Sequence, residues 1–206
     1  MSNAGYVESI TKTMIVVGVT GGMAAGKSTV LGCLQALGAT VADADAVVHE
    51  LYTSDAAVAQ AVAERWGPGI LATDGAIDRG ALARRVFADD QALQWLNDLI
   101  HPRVQRRLED LAAEAVTPVF CCAVPLLFEV GWDTALDGTV AVWCDPSTQW
   151  GRLRQRGWSD EHIKARLRHQ MSMDEKLARA EYGLINTGTV EMLRQQCCLL
   201  YQRFTS

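Results

Sequence analysis

The chain has 206 residues, 49% apolar and 21% charged, the balance of an ordinary globular domain, which excludes a disordered tail, a collagen-like fibre or a long coiled coil. Its 19 basic and 24 acidic residues leave a net charge of -5, so neither the basic face of a nucleic-acid-binding protein nor a nucleic-acid partner is expected. No stretch reaches the roughly 18 to 20 uninterrupted apolar residues that a membrane-spanning helix needs, so no membrane partner is expected either. The six cysteines fall as the pairs Cys121-Cys122 and Cys197-Cys198 and as the single Cys33 and Cys144. None has C-x-x-C or zinc spacing, so they read as reduced, mostly buried thiols in a cytoplasmic protein.

Residues 1–13 read as a leader or tag, because Ser2-Asn3-Ala4 resembles an expression scar and Met14 is an alternative start. Met14 to Thr20 is apolar and β-branched, the pattern of a strand buried on both faces. A Gly-rich turn follows, then a helix from Lys27 to Leu37 with Val30, Leu31, Leu34 and Leu37 at helical spacing. Gly38 sits where a left-handed C-cap is expected. Thr40 to Asp45 reads as a second strand, completing a βαβ unit. From Asp55 to Val116 the pattern is helical, with helices predicted at Asp55–Trp66, Arg79–Phe87, Gln91–Ile100 and Pro102–Val116. Asp78 serves as an N-cap and Pro102 falls in a first turn. That is too much helix for a simple crossover, so part of it reads as an inserted lobe. Strands return at Val119–Val124, Thr139–Cys144 and Gly183–Asn186. Helices are expected at Gln149–Arg156, at Ser159–Gln170 and, closing the chain, at Val190–Phe204. Alternating strands and helices predict a three-layer α/β/α fold around a parallel sheet.

The strongest chemical signal is Gly21, four residues, then Gly26-Lys27-Ser28. A buried strand precedes it and a helix begins inside it, the context in which a Gly-rich loop cradles phosphate. Glycine permits the backbone angles and close approaches. Amides from Ala24 to Ser28 would point at phosphate oxygens, Lys27 would reach the β- and γ-phosphates, and the Ser28 hydroxyl would ligate Mg²⁺. Asp43-Ala44-Asp45 lies at the end of the second strand. In extended backbone the two carboxylates share a face, able to serve an attacking hydroxyl or a water of the Mg²⁺ shell. Arg152, Arg154, Arg156, Lys164, Arg166 and Arg168 cluster on two helical segments around Gly157-Trp158. Such a hairpin suits a lid that brings positive charge over a γ-phosphate. His101, Glu129 and Asn186 carry weaker signals, and Trp66, Trp95 and Trp132 read as core.

In order, TGGMAAGKST, DAD, LIHP, PLLFE, the Gln149/Arg152/Arg156 run, Gln170 and LINTG resemble the dephospho-CoA kinase family over nearly the whole of Val16 to Phe204. The resemblance implies a P-loop NTPase-like fold in a single domain, 14–206. Its core is 14–54 and 117–206, with a helical substrate lobe about 55–116 and a lid about 150–175. It implies MgATP-dependent phosphorylation of the ribose 3′-hydroxyl of dephospho-CoA by a chain expected to be monomeric. Asp45 (the general base), Lys27 and Arg152 are the implied catalytic residues. Gly22, Ala24, Ala25, Gly26, Lys27, Ser28, Thr29, Arg156 and Asn186 are the implied ATP-binding residues, with Ser28 on the metal. Asp43, Asp45, His101, Leu126 and Glu129 are implied to bind the acceptor. Two departures stand out: the family usually has Gly and Ser where this chain has Ala24 and Ala25, and an Asp-rich turn before the last strand is reduced to Glu181-Tyr182. The residues alone leave room for another small-molecule kinase, acting on a nucleoside monophosphate or a sugar acid, given Arg84, Arg85, Arg103, Arg106 and Arg107 in the lobe. A P-loop switch is the other alternative, but no guanine-reading N-K-x-D motif is present.

Overall fold

A strand covered on both sides must be apolar at every position, and Val119–Ala123 shows the consequence. Val119, Cys121 and Ala123 enter one apolar layer, while Phe120 and Cys122 enter the other. The computed structural model describes residues 14–86, 89–168 and 170–206. The leader expected over residues 1–13, and Phe87 at the expected end of one helix, lie outside them. Five strands, β1 (Ile15–Gly21), β2 (Thr40–Asp43), β3 (Val119–Ala123), β4 (Gly138–Trp143) and β5 (Tyr182–Ile185), form one parallel sheet in the order β2-β3-β1-β4-β5. Helices α1 (Lys27–Ala36) and α9 (Val190–Thr205) pack on one face around Val17, Val19, Leu34, Leu193 and Phe204. Helices α2 (Ala44–Ser54), α3 (Ala56–Trp66), α4 (Arg79–Val86) and α5 (Asp90–Glu114) pack on the other, around Val47, Val58, Leu82, Ile100 and Phe120. The expected three layers are present. β1 lies between β3 and β4, so the chain leaves it toward one side of the sheet and later crosses to the other. That reversal opens a crevice at the carboxyl ends of the strands.

Three expectations are corrected. The second strand ends at Asp43 rather than Asp45, because the Asp43 carboxylate accepts the Asp45 amide at 2.9 Å and caps α2. The two helices expected on either side of His101 are one, α5, with Pro102 in its interior. Leu96, Ile100, Val104 and Leu108 form one buried stripe through the proline, whose ring lies on the exposed side. There water can take the carbonyl that loses its N–H partner. Finally, the helix expected over Ser159–Gln170 is α7 (Asp160–Leu167), capped by Ser159 as expected but ending before Gln170, and a further, unexpected helix α8 (Met173–Arg179) follows it. The latter opens with a Ser172/Glu175 capping box. Helix α6 (Pro146–Gln155) precedes both. All six cysteines are free, and among the described residues no helix is long and apolar enough to cross a membrane.

An interior proline costs a helix about 3 kcal/mol, whereas a first-turn proline costs almost nothing. Pro102→Ala is therefore expected to stabilise the chain by about 1 to 3 kcal/mol in urea denaturation; an unchanged or lower midpoint would return Pro102 to a helix start.

Candidate active site

The turn from β1 into α1 is built by two glycines. At Gly21 (φ +147°) an added Cβ would lie 2.5 Å from the Val142 carbonyl oxygen. At Gly26 (φ +109°) it would overlap the Asn186 amide. Both are positions where only hydrogen fits. Side-chain donors hold the loop from its carbonyl side. Lys27 Nζ donates to the carbonyls of Gly21 (2.9 Å) and Gly22 (3.0 Å). The Gln149 amide donates to Met23 (2.9 Å) and the Arg152 guanidinium to Ala24 (3.2 Å) and Ala25 (3.4 Å). Asn186 Nδ2 donates to Ala25 at 2.7 Å. Every carbonyl from Gly21 to Ala25 thus receives a side-chain donor. A trans peptide sets C=O and N–H on opposite sides, so the Ala24 and Gly26 amides turn the other way.

The loop borders a cavity of about 700 Å³ at the carboxyl edge of the sheet. Ala24, Gly26, Lys27, Ser28 and Thr29 line it from the loop and α1, Asp43 and Asp45 from the end of β2 and the start of α2, and Leu126 from the turn after β3. Arg152, Arg156, Arg166 and Gln170 close it from α6, α7 and the segment beyond, and Asn186 stands at its edge. Residues far apart in sequence are thereby brought together as anticipated. Asp45 does so from the first turn of a helix rather than from a strand. Its carboxyl is pushed up from the ordinary carboxylate range by desolvation and then by the neighbouring Asp43, while Lys27, Arg79 and Arg166 pull it back. Burial pushes the Lys27 ammonium down to about 8, against the attraction of Asp45 and Asp43.

Several expected residues fall elsewhere. Gly22 and Ala25 form the loop without lining this cavity, and Ala25 is fully buried. His101 does not line it either; its ring packs edge-on against Trp132, centroids 5.8 Å apart, and burial lowers its pKa. Glu129 is also absent from the lining: its carboxylate is taken by the buried Lys176 at 2.8 Å and by the Met171 amide at 2.9 Å. Arg152, expected as a catalytic cation, is engaged with Ala24, Ala25 and, at 3.0 Å, the Asn186 carbonyl, so it braces the loop. Arg154 points outward, forked onto Asp160 with both bonds at 2.9 Å. Trp66 and Trp95, expected in the core, are partly buried against it and pack edge to face, with the Arg65 guanidinium over both rings. Arg79 and Lys176 carry no signal in the sequence, because single basic residues on helices have no diagnostic spacing. Ser28, Asp43 and Asp45 supply a hydroxyl and carboxylates to one cavity, the hard oxygen donors that suit Mg²⁺. Among the described residues no cluster of three or more His, Cys, Asp or Glu could hold an ion unaided, so a metal there would share its coordination with phosphate and water.

Ala24 is a non-glycine residue with positive φ, at +56°, among those described. A Cβ in that region costs about 1 to 2 kcal/mol, so Ala24→Gly should raise the unfolding free energy measured in urea by about 1 kcal/mol. Gly26→Ala should instead destabilise by about 1 to 3 kcal/mol and weaken nucleotide binding measured by calorimetry. Equal effects at the two positions would contradict this loop geometry.

A family model described as dephospho-CoA kinase matches residues 15–191. The chain is 42% identical over 188 residues to a dephospho-CoA kinase of Symbiobacterium thermophilum, covering 89% of this chain and 78% of that one. Among solved structures it is similar to TT1252 from Thermus thermophilus (TM-score 0.79, 35% identity, 92% of this chain and 98% of that one). It is also similar to the dephospho-CoA kinase from Campylobacter jejuni (TM-score 0.65, 28% identity, 91% and 96%). A glycine-bent loop held by its carbonyls, lining one cavity with two aspartates, therefore sits in a chain that the family model matches from residue 15 to residue 191: it belongs to the dephospho-CoA kinases.

Proposed function

We propose that the chain transfers the γ-phosphoryl group of ATP to the ribose 3′-hydroxyl of dephospho-CoA, releasing CoA and ADP, as the last step of coenzyme A biosynthesis. The observation that carries this reading is the single cavity in which Lys27 and Ser28 meet Asp43 and Asp45. The lobe arginines argue against a nucleoside monophosphate acceptor. Arg103 donates to the Leu99 carbonyl, Arg106 pairs with Asp110 and Arg107 lies 3.5 Å from Glu50; none of them, nor Arg84 or Arg85, lines the cavity.

In this reading the loop amides and Lys27 hold the β- and γ-phosphates, while Thr29 and Asn186 border the rest of the nucleotide. Ser28 would help to hold Mg²⁺ against the phosphates, and the ion would supply charge neutralisation there. Asp45 accepts the proton of the acceptor hydroxyl as its oxygen forms the new bond to phosphorus and the bond to the ADP oxygen breaks. Its raised pKa makes it a better base than an exposed aspartate. Asp43 fixes the Asp45 backbone and adds negative charge beside it. Arg156 and Arg166 offset charge on the transferring group, Arg152 maintains the loop, and Leu126 forms an apolar wall for the acceptor. Residues about 55–116 shape the acceptor lobe, with His101 acting through its packing on Trp132. Residues about 150–175 serve as a lid that excludes water. We place the enzyme in the cytoplasm as a monomer.

Asp45→Asn should lower kcat by about 10² to 10⁴ with ATP affinity little changed; parallel loss of affinity and rate would move Asp45 from base to metal shell. Lys27→Ala should abolish most turnover, and near-normal kcat would remove the loop from catalysis. A base works only when ionised, so the rate falls as pH drops through the raised Asp45 pKa. Lys27 works only when protonated, so kcat/KM for ATP falls as pH rises past about 8. ADP release followed across pH should therefore give a bell, and the residual activity of Asp45→Asn should lack the acid limb. Phosphorylation of AMP with none of dephospho-CoA would overturn the acceptor.

A further inference from the structure

Lys176 lies on α8 with its side chain wholly buried. A buried ammonium is tolerated where its charge is balanced and hydrogen-bond acceptors replace the lost water. Here Nζ donates to the Pro125 carbonyl at 2.6 Å and to the Glu129 carboxylate at 2.8 Å. The Pro125 carbonyl also accepts the Thr20 hydroxyl, at 3.3 Å, from the end of β1 immediately before the phosphate loop. The Glu129 carboxylate in turn accepts the Met171 amide at 2.9 Å. Four segments meet at this one ammonium–carboxylate pair: the end of β1, the turn after β3, the junction between α7 and α8, and α8 itself. Two of them present cavity-lining residues: Pro125 and Leu126 from the turn, and Gln170, adjacent to Met171, from the junction. Gln170 Oε1 is buried and has no hydrogen-bond partner among the described residues, an acceptor ready for a donor.

We infer that Lys176 and Glu129 are positioning residues for phosphoryl transfer: a buried strut that sets the Pro125–Leu126 wall and presents Gln170 to a hydroxyl or amino group of the bound substrates. The inference rests on the kinase reading above. The strut touches no reacting atom, so its loss should leave nucleotide binding in place and misplace the partners of the chemical step, where about 1 Å of error costs as much as 10²-fold. An apolar filler of similar shape would serve folding equally well, and that separates a positioning role from a merely structural one.

The test compares three variants of the full chain. Lys176→Arg, which keeps charge and donors, should retain turnover within about threefold of wild type. Lys176→Met should lose about 10- to 100-fold in kcat with KM for ATP within about threefold. The double variant Lys176→Met with Glu129→Leu replaces the pair by apolar groups, so it should melt near the wild-type temperature yet keep the turnover deficit. Hydrogen exchange at the Met171 amide, which no assay of activity enters, should accelerate in both variants that carry Lys176→Met. A double variant with native melting and kcat within twofold of wild type would overturn the strut; so would unchanged exchange at Met171 in whichever variant folds. Failure of the wild-type chain to phosphorylate dephospho-CoA would instead strike the acceptor assignment, leaving the exchange result to decide the strut.

Discussion

The site depends on which side of a five-residue loop carries the hydrogen bonds. Carbonyls from Gly21 to Ala25 are all engaged by side chains, Lys27 from the helix that follows, Gln149 and Arg152 from α6, and Asn186 from the end of β5. An amide cradle for phosphate needs its N–H groups presented to the ligand, and a backbone with unengaged carbonyls would be free to turn either face inward. Donors from three other segments remove that freedom. They also explain the two glycines. The loop passes so close to Val142 and Asn186 that a methyl group at either position meets backbone or amide atoms.

Sheet topology supplies those donors. With β1 between β3 and β4, the loop emerges at the centre of the carboxyl edge, flanked by the ends of every other strand. Asp43 arrives from β2, Pro125 and Leu126 from beyond β3, α6 from beyond β4 and Asn186 from beyond β5. The same convergence sets the electrostatics. Desolvation acts on Lys27 and Asp45 in opposite directions and brings their pKa values closer together, while their mutual attraction keeps the charged pair. Burial thus leaves a lysine lowered to about 8 beside an aspartate displaced upward from the ordinary carboxylate range, the anchor and the base of the proposed transfer.

Legibility varied with the range of the information required. The loop, the layers and the cavity-facing aspartates were visible in short patterns, because a buried strand, a glycine pair and an amphipathic helix each leave a local signature. Asp43 and Asp45 line one cavity, as the DAD pattern predicts, but by another route: the cap at Asp43 converts the expected strand end into a helix start, and the first turn of that helix keeps Asp45 in the crevice. Pro102 misled because a proline is ordinarily a helix opener, whereas here a buried stripe carries the helix through it. Glu129 and Arg152 show the sharper difficulty. A charged residue in a motif can meet a ligand or a neighbour, and only the neighbours distinguish the two.

Composition and motif order point to a parallel α/β fold, a glycine-bent strand-to-helix corner and a resemblance to the dephospho-CoA kinases, since these rest on residues that act through their own backbone or nearest neighbours. The partners of Arg152, Glu129, Gln149 and Lys176 are decided by tertiary structure alone. Each hydrogen-bonds to a group between 47 and 128 positions away along the chain, and no local pattern encodes which distant carbonyl a donor will find once the sheet has closed around it.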